Sequence, residues 1–403
     1  MNIKRFDMKK KPKRQMLRPL IWALTLPAVK KYKLKLEKIG MENIKPPYVL
    51  LQNHNAFLDF KVLTKAVFPN RCNYIIAIDG FIKREGLLRR VGGICKRKFI
   101  NDLTLIKHIK QVIKNKDIIV IYPEARYSLC GTNSDIPDAV GKLIKMLKVP
   151  LVTLISHGHH IDSPFYNSHP RHIKGIESTM KCLVNNDEIE NITVDEINQR
   201  IKNEFIYDDY KWQKNNNILI PTDNRAIGLE KVLYQCPVCH TEYQMVSDDN
   251  TLTCNHCHSF WFVNKLSVLE SPSNTFTHIP DWYNWERENV RKEIENNNYF
   301  FQDDVEIKSL PNSKGFIDKG KGVLTHTMDG IHLQGEDLDI QWFAKDNYSV
   351  HIEYNYLFKY GDCVDLNTLD DTFYVYPKGS NFSVTKISLA VEELYKYYNK
   401  RSK

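Results

Sequence analysis

The chain has 403 residues, 42% of them hydrophobic, with 21 Tyr, 18 Phe and 6 Trp, so a fully disordered protein is excluded and two or three domains are expected at roughly 100–200 residues each. The net charge of +9 is unevenly placed: residues 1–35 carry +11, residues 83–117 carry +8 and the rest about −10. A basic first third attracts phosphate-bearing partners, whether anionic lipid, coenzyme A or nucleic acid.

Residues 1–35 read as a basic amphipathic leader. The apolar stretch Leu17 to Val29 has 13 residues and contains Arg18, Pro19 and Pro27. A spanning helix needs about 20 apolar residues, so an interfacial helix is expected, with Trp22 at headgroup level and Lys30, Lys31, Lys33 and Lys35 on phosphates. An ordinary helix packed on the domain is the alternative.

Strand-like and helix-like runs then alternate. Strands are expected at Tyr48–Gln52, Cys72–Ile78, Ile118–Tyr122 and Leu151–Ile155, and helices at Phe57–Phe68, Leu103–Lys114 and Ala139–Leu147. This alternation predicts an α/β fold, a sheet covered by helices, with its site where strands end and helices begin. Residues 160–230 are polar, with a charged helix near Val194–Phe205, and read as a tail of this domain plus a linker.

The chemistry-bearing residues fall at those strand ends. His54 and Asp59 lie five apart across a strand-to-helix junction. Asp59 in the first helical turn can accept the imidazole N–H, leaving the other ring nitrogen as a general base. No Ser or Cys in a recognisable nucleophile motif accompanies them, so the base would activate a hydroxyl of the substrate itself. Glu124 and Arg126 follow the strand Ile118–Tyr122, and a guanidinium there suits a phosphate-bearing substrate. Gly92-Gly93 feeds the cations Lys96, Arg97 and Lys98, and Pro150 opens a strand.

Taken together, these residues resemble the four ordered blocks of the glycerolipid acyltransferase superfamily, the 1-acylglycerol-3-phosphate acyltransferase type. His54 and Asp59 match its HxxxxD block. Cys95-Lys96-Arg97 is similar to the second block, Pro123-Glu124 to the third and Val149-Pro150 to the fourth. The resemblance implies catalysis by His54 oriented by Asp59, and substrate contacts from Arg97 (Lys98 in reserve), Glu124, Arg126 and Pro150. It also implies a lysophospholipid acceptor and acyl-CoA or acyl carrier protein as donor. The third block departs from the family's PEGTRS: Ala125 replaces Gly, and Arg126 comes one position early.

Cys236-Pro237-Val238-Cys239 and Cys254-Asn255-His256-Cys257 form two CxxC knuckles. Four thiolates at this spacing close a tetrahedral structural Zn2+ site, with a small hairpin expected between them at Glu242–Val246 and Thr251–Thr253. The total of nine Cys is odd, which argues for a reducing compartment. The last segment predicts a helix at Trp282–Ile294, a hairpin around Asp329–Gly330, strands at His351–Phe358 and Thr372–Tyr376, and a closing amphipathic helix from Val384.

The expected organisation is a leader (1–35), an acyltransferase domain (36–229), a zinc ribbon (230–268) and a small β-rich domain ending in a helix (276–403), faintly similar to a pleckstrin-homology domain. The expected setting is cytoplasmic, peripheral on the inner face of an anionic membrane, with nucleic acid not expected as a partner. The competing expectation is a non-catalytic binding or regulatory protein that uses the ribbon and the basic segments.

Overall fold

The structure is a computed structural model that describes residues 5–356 and 360–400. Phe358, the end of one expected strand, and the first four residues of the leader lie outside the described residues. The chain divides into two compact units. One comprises Asp7–Lys96 and Asp102–Thr222; the other comprises the described residues from Asp223 onward, with residues 5–6 and Arg97–Asn101.

The first unit is built on seven strands: β1 (Lys35–Ile39), β2 (Val49–Gln52), β3 (Cys72–Ala77), β4 (Gly93–Lys96), β5 (Ile118–Ile121), β6 (Leu151–His157) and β7 (Glu177–Val184). Their order in the sheet is β1-β7-β6-β2-β5-β3-β4. Strands β6, β2, β5, β3 and β4 run parallel; β7 is antiparallel to β6 and carries β1 alongside it in parallel. The helices are α1 (Arg18–Lys30), α2 (Leu58–Val67), α3 (Glu85–Arg90), α4 (Leu103–Lys114), α5 (Ala139–Leu147), α6 (His159–Asp162), α7 (Val194–Glu204) and α8 (Asp209–Asn215).

The central strands are near-continuous apolar runs because helices cover both faces. Val49, Leu51, Ile119 and Leu151 pack with Ile109, Val112, Ile144, Ile197 and Ile201 from α4, α5 and α7. The alternate residues Leu50, Ile118, Val120 and Val152 pack with Leu63, Ala66 and Val67 of α2. Alternation along each strand therefore sorts one apolar run into two cores. The helix ends follow local chemistry: the Asp102 carboxylate caps α4 through Thr104 N, and Thr193 with Glu196 closes a capping box on α7.

The polar stretch read as tail and linker is instead part of the sheet. Its residues 177–184 form β7, α7 packs beside it, and α8 packs with α6. Some of its polar side chains are spent internally: Asp209, fully buried, accepts from Gly158 N at 3.1 Å and His160 N at 3.2 Å and lies 3.1 Å from His157 Nδ1. Composition alone suggested a linker because it records polarity and not pairing.

In the second unit, β8 (Met245–Asp248), β9 (Thr251–Cys254), β10 (Phe260–Val263) and β11 (Leu269–Glu270) form an antiparallel sheet around the two Cys knuckles. Helix α9 (Ile279–Glu295) packs against it through Trp261 and Trp282, whose rings lie 4.7 Å apart, and Trp282 Nε1 donates to Gln235 O at 2.9 Å.

The rest is a seven-stranded antiparallel sheet of β12 (Phe301–Ser309), β13 (Ile317–Thr327), β14 (Gly330–Gly335), β15 (Leu338–Phe343), β16 (His351–Glu353), β17 (Cys363–Asn367) and β18 (Thr372–Pro377). A four-strand meander, β12 to β15, joins a three-strand meander, β16 to β18, through the β12–β18 pair. Helix α10 (Val384–Lys400) closes the chain and is tied to α9 by Arg287 with Glu392 and Glu393, and by Arg291 with Glu393.

Candidate functional site

The C-terminal ends of β2, β5 and β6 converge on one cluster. The loop after β2 carries His54, and Asp59 follows in the first turn of α2. His54 Nδ1 lies 2.9 Å from Asp59 Oδ2. The same oxygen accepts Asn55 N at 2.7 Å and Ala56 N at 3.1 Å. Its other oxygen, Oδ1, lies 2.6 Å from Nδ1 of a second histidine, His159, in α6. Burial alone would raise the Asp59 carboxyl, but the hydrogen bonds to His159 and His54 outweigh it and hold Asp59 down at about 2. Asp59 is therefore a carboxylate throughout the neutral range.

The loop itself is fixed by its polar residues. The Asn53 side chain exchanges two hydrogen bonds, each 2.9 Å, with the Ser156 backbone of β6. Tyr207 donates to Asn55 Oδ1 at 3.0 Å. The His54 ring is flanked by Tyr122 at 3.9 Å and Tyr127 at 4.1 Å between ring centroids. The aromatic faces restrict the orientation of the imidazole. With Nδ1 on Asp59, Nε2 has no protein partner among the described residues. Only part of His54 is accessible, 21% of its side chain, so the bare nitrogen belongs to a ring that solvent and substrate can still reach.

Glu124 braces this loop. Its carboxyl oxygens accept His54 N at 3.1 Å and Ser134 N at 2.7 Å. Burial pushes its carboxyl up to about 7, against the backbone donors and the charge of Arg126. Ala125 stands in the left-handed region with φ 56°, where the resembled family has glycine. A Cβ is costly in that conformation, so glycine would be less strained than Ala125 at this position. Arg126 is buried, with Nε 3.3 Å from Ser134 Oγ. The nearby Ser128 hydroxyl donates to Thr132 O at 2.6 Å, so it is oriented away from a nucleophile's role.

The structure brings His54, Asp59, Glu124 and Arg126 together at the strand ends of the first unit. Pro150 precedes β6 and accepts Val49 N at 3.0 Å, which puts it at the N-terminal end of the strands, opposite His54. Arg97 and Lys98 belong to the second unit. There the buried Arg97 guanidinium donates to Thr372 Oγ1 (2.6 Å) and to the carbonyls of Asp370 (2.9 Å), Leu310 (3.1 Å) and Pro311 (3.2 Å). These bonds engage both terminal nitrogens of the guanidinium that phosphate recognition was expected to use.

Tyr122, Tyr127 and Asn53 carry no sequence signal of a role, and His159 carries only a faint one. The doublet His159-His160 directly after the fourth-block strand was the one visible hint. The two histidines diverge: burial drives His160 down to about 3, whereas His159 is aimed at Asp59.

In the second unit, Cys236, Cys239, Cys254 and Cys257 place their sulfurs within 4.8 Å of one another. Two of the separations, Cys236–Cys257 and Cys239–Cys254, are 3.7 and 3.8 Å. A tetrahedral ion with bonds of about 2.3 Å needs sulfurs about 3.8 Å apart, so this set fits a metal. The knuckles are matched: His240 N donates to Cys236 O and His258 N to Cys254 O, both at 2.9 Å, and both histidines have positive φ. A second group, His351, Glu353 and Asp365, lies on β16 and β17. His351 Nε2 is 2.9 Å from Glu353 Oε1. Burial pushes Glu353 up to about 7, against the pull of Lys98.

Residues 35–157 match the Acyltransferase family model. No curated protein matches the chain. Among solved structures, it is similar to the 1-acyl-sn-glycerophosphate (LPA) acyltransferase, PlsC, from Thermotoga maritima, at 12% identity and TM-score 0.39, covering 50% of this chain and 80% of that one. The first unit thus holds an acyltransferase-type domain, followed along the chain by a zinc-ribbon-like Cys cluster.

Proposed function

We propose that the protein moves a fatty acyl group from acyl-CoA or acyl carrier protein to the hydroxyl of a lysophospholipid such as 1-acylglycerol-3-phosphate. The observation that carries this reading is the His54–Asp59 contact at 2.9 Å, with Nε2 bare at the end of β2. Asp59 fixes the tautomer, so Nε2 is the basic nitrogen. It takes the proton of the acceptor hydroxyl as that oxygen attacks the thioester carbonyl. Collapse of the tetrahedral intermediate expels the carrier thiolate, which recovers the proton from His54. Arg126 is the cation in the same unit through which an acceptor phosphate would be felt, and Glu124 holds the loop that presents His54.

The acceptor's tail argues for work at a membrane surface. No helix among the described residues is long and apolar enough to cross a membrane. Helix α1 buries Ile21, Thr25 and Val29 but leaves Leu20 and Leu24 exposed, and Phe57 and Phe68 are exposed on either side of α2. Such a surface beside a net charge of +11 over residues 1–35 suits a peripheral contact with anionic lipid, which we place on the cytoplasmic side. The ribbon is read as a structural Zn2+ module, and the seven strands closed by α10 support the pleckstrin-homology-like reading of the last domain.

The test is acyl transfer by the purified full chain, using long-chain acyl-CoA with 1-acylglycerol-3-phosphate and with a phosphate-free monoacylglycerol. His54→Ala should lower kcat by roughly 10²–10⁴-fold while folding and metal content stay intact. Turnover at the wild-type rate in that variant would remove His54 as the base. Wild-type protein with no transfer to either acceptor would favour the non-catalytic binding protein.

A further inference from the structure

We infer that His159 is a positioning residue that sets how strongly Asp59 pulls on His54. This inference rests on the catalytic reading of His54. Its evidence is the contact of His159 Nδ1 with Asp59 Oδ1 at 2.6 Å, the shortest that Asp59 makes. Both side chains are 0% exposed. Asp59 is therefore held from two sides, by His54 and two backbone N–H groups on Oδ2 and by His159 on Oδ1.

The protonation of His159 follows from its other nitrogen. His159 Nε2 is buried and has no hydrogen-bond partner among the described residues. A protonated ring would bury an unsatisfied N–H there, and a bare lone pair costs less than an unpaired charged donor. The stable form is the neutral ring with its proton on Nδ1, donated to Asp59. Asp59 then shares its charge between two imidazoles.

Without His159, Oδ1 would be a buried acceptor with no partner, and more of the carboxylate charge would fall on His54. The imidazolium would then persist to higher pH, leaving less free base, and the carboxylate could turn away from its present orientation. The other ionisable groups around the pair are Tyr122 and Tyr127 against the His54 ring, and Glu124 and Tyr207, which feel the charge of Asp59. All four are retained when His159 is replaced, so a difference between variant and wild type isolates His159.

The experiment has two arms, both on the full chain. In the first, 15N-histidine labelling reads the ring nitrogens of His159, assigned by its loss in His159→Asn. The expected spectrum shows Nδ1 protonated and Nε2 bare across neutral pH; a proton on Nε2 overturns the inference whether or not any substrate is known.

In the second arm, transfer from long-chain acyl-CoA to 1-acylglycerol-3-phosphate is followed against pH. His159→Phe should lower kcat about tenfold or more, with KM within about twofold, as loss of an orienting contact does. It should also move the acid limb of kcat/KM upward by about one unit, the scale of one charge-assisted hydrogen bond. His159→Asn, whose amide nitrogen replaces Nδ1, should recover most of the rate and the wild-type limb. A limb unmoved in His159→Phe, or His159→Asn as impaired as His159→Phe, reduces His159 to packing. If His159→Phe does not fold, the wild-type spectrum and His159→Asn still decide. If no transfer occurs at all, the catalytic reading fails and the first arm alone judges the contact.

Discussion

Asp59→Asn is the most informative single change at the site, because the geometry dictates how the amide must sit. Three donors point at Oδ2: His54 Nδ1, Asn55 N and Ala56 N. An NH2 group there would face all three, so the amide oxygen must take that place and the NH2 must face His159. His159 must then carry its proton on Nε2, a buried donor without a partner among the described residues, at a further cost of about 1–3 kcal/mol. The fold should survive, but the negative charge is gone. The wild-type carboxyl is held at about 2 against an ordinary 3.8, a difference of about 2 kcal/mol, which is the charge's share of the expected loss of stability at neutral pH. Because the folded value is depressed, this contribution is complete above about pH 4 and is lost as pH falls through about 2, so measurements at pH 5 and 7 should agree. Catalysis should suffer more, since Asn cannot stabilise the imidazolium: a fall in kcat of roughly 10²–10⁴-fold, or about 3–5 kcal/mol. Urea unfolding and steady-state kinetics give the two numbers. The double variant His54→Ala/Asp59→Asn should be no slower than His54→Ala, because the two residues act as one device. A double variant that loses the product of both factors would refute the coupling.

Three further outcomes follow from the same contacts. Glu124 is neutral in the folded protein up to about 7 but ionises at an ordinary 4.5 when unfolded, so its stabilising contribution is present below 4.5 and lost as pH rises through about 7. The stability of wild type relative to Glu124→Gln should therefore fall by about 3 kcal/mol from pH 4.5 to 8; a flat difference in urea midpoints would contradict the burial argument. Ala125→Gly should stabilise the protein by about 1 kcal/mol by relieving the positive φ of 56°, and destabilisation in the same assay would show that the methyl packs. Elemental analysis should find one zinc held by Cys236, Cys239, Cys254 and Cys257, and chelation should loosen the ribbon before the seven-stranded sheet of the first unit; a metal-free, folded preparation with four titratable thiols would exclude it.

Local pattern carried most of the first unit. The apolar runs at Tyr48–Gln52, Ile118–Tyr122 and Leu151–Ile155 became the central strands Val49–Gln52, Ile118–Ile121 and Leu151–His157, and α4 and α5 occupy the residues their periodicity predicts. The Cys spacing likewise gave a cluster of tetrahedral dimensions. These features depend on neighbours a few residues apart, or on a motif whose spacing encodes its own geometry, so a single chain suffices to read them. His54 and Asp59 were legible for the same reason, being five residues apart.

Contacts across long separations were not legible. Asp59 and His159 are brought together by β2 lying beside β6, and no local pattern announces a pairing a hundred residues apart. Arg97 looked like a phosphate ligand from its charge and glycine turn, yet its guanidinium is taken up by Thr372 and three carbonyls of the C-terminal unit. The sequence by itself determined which residues carry charge, thiolate and imidazole, and which segments form strands and helices. The tertiary structure alone decided which of those groups meet, because a buried carboxylate or guanidinium takes whatever partners the folded chain places within hydrogen-bond reach.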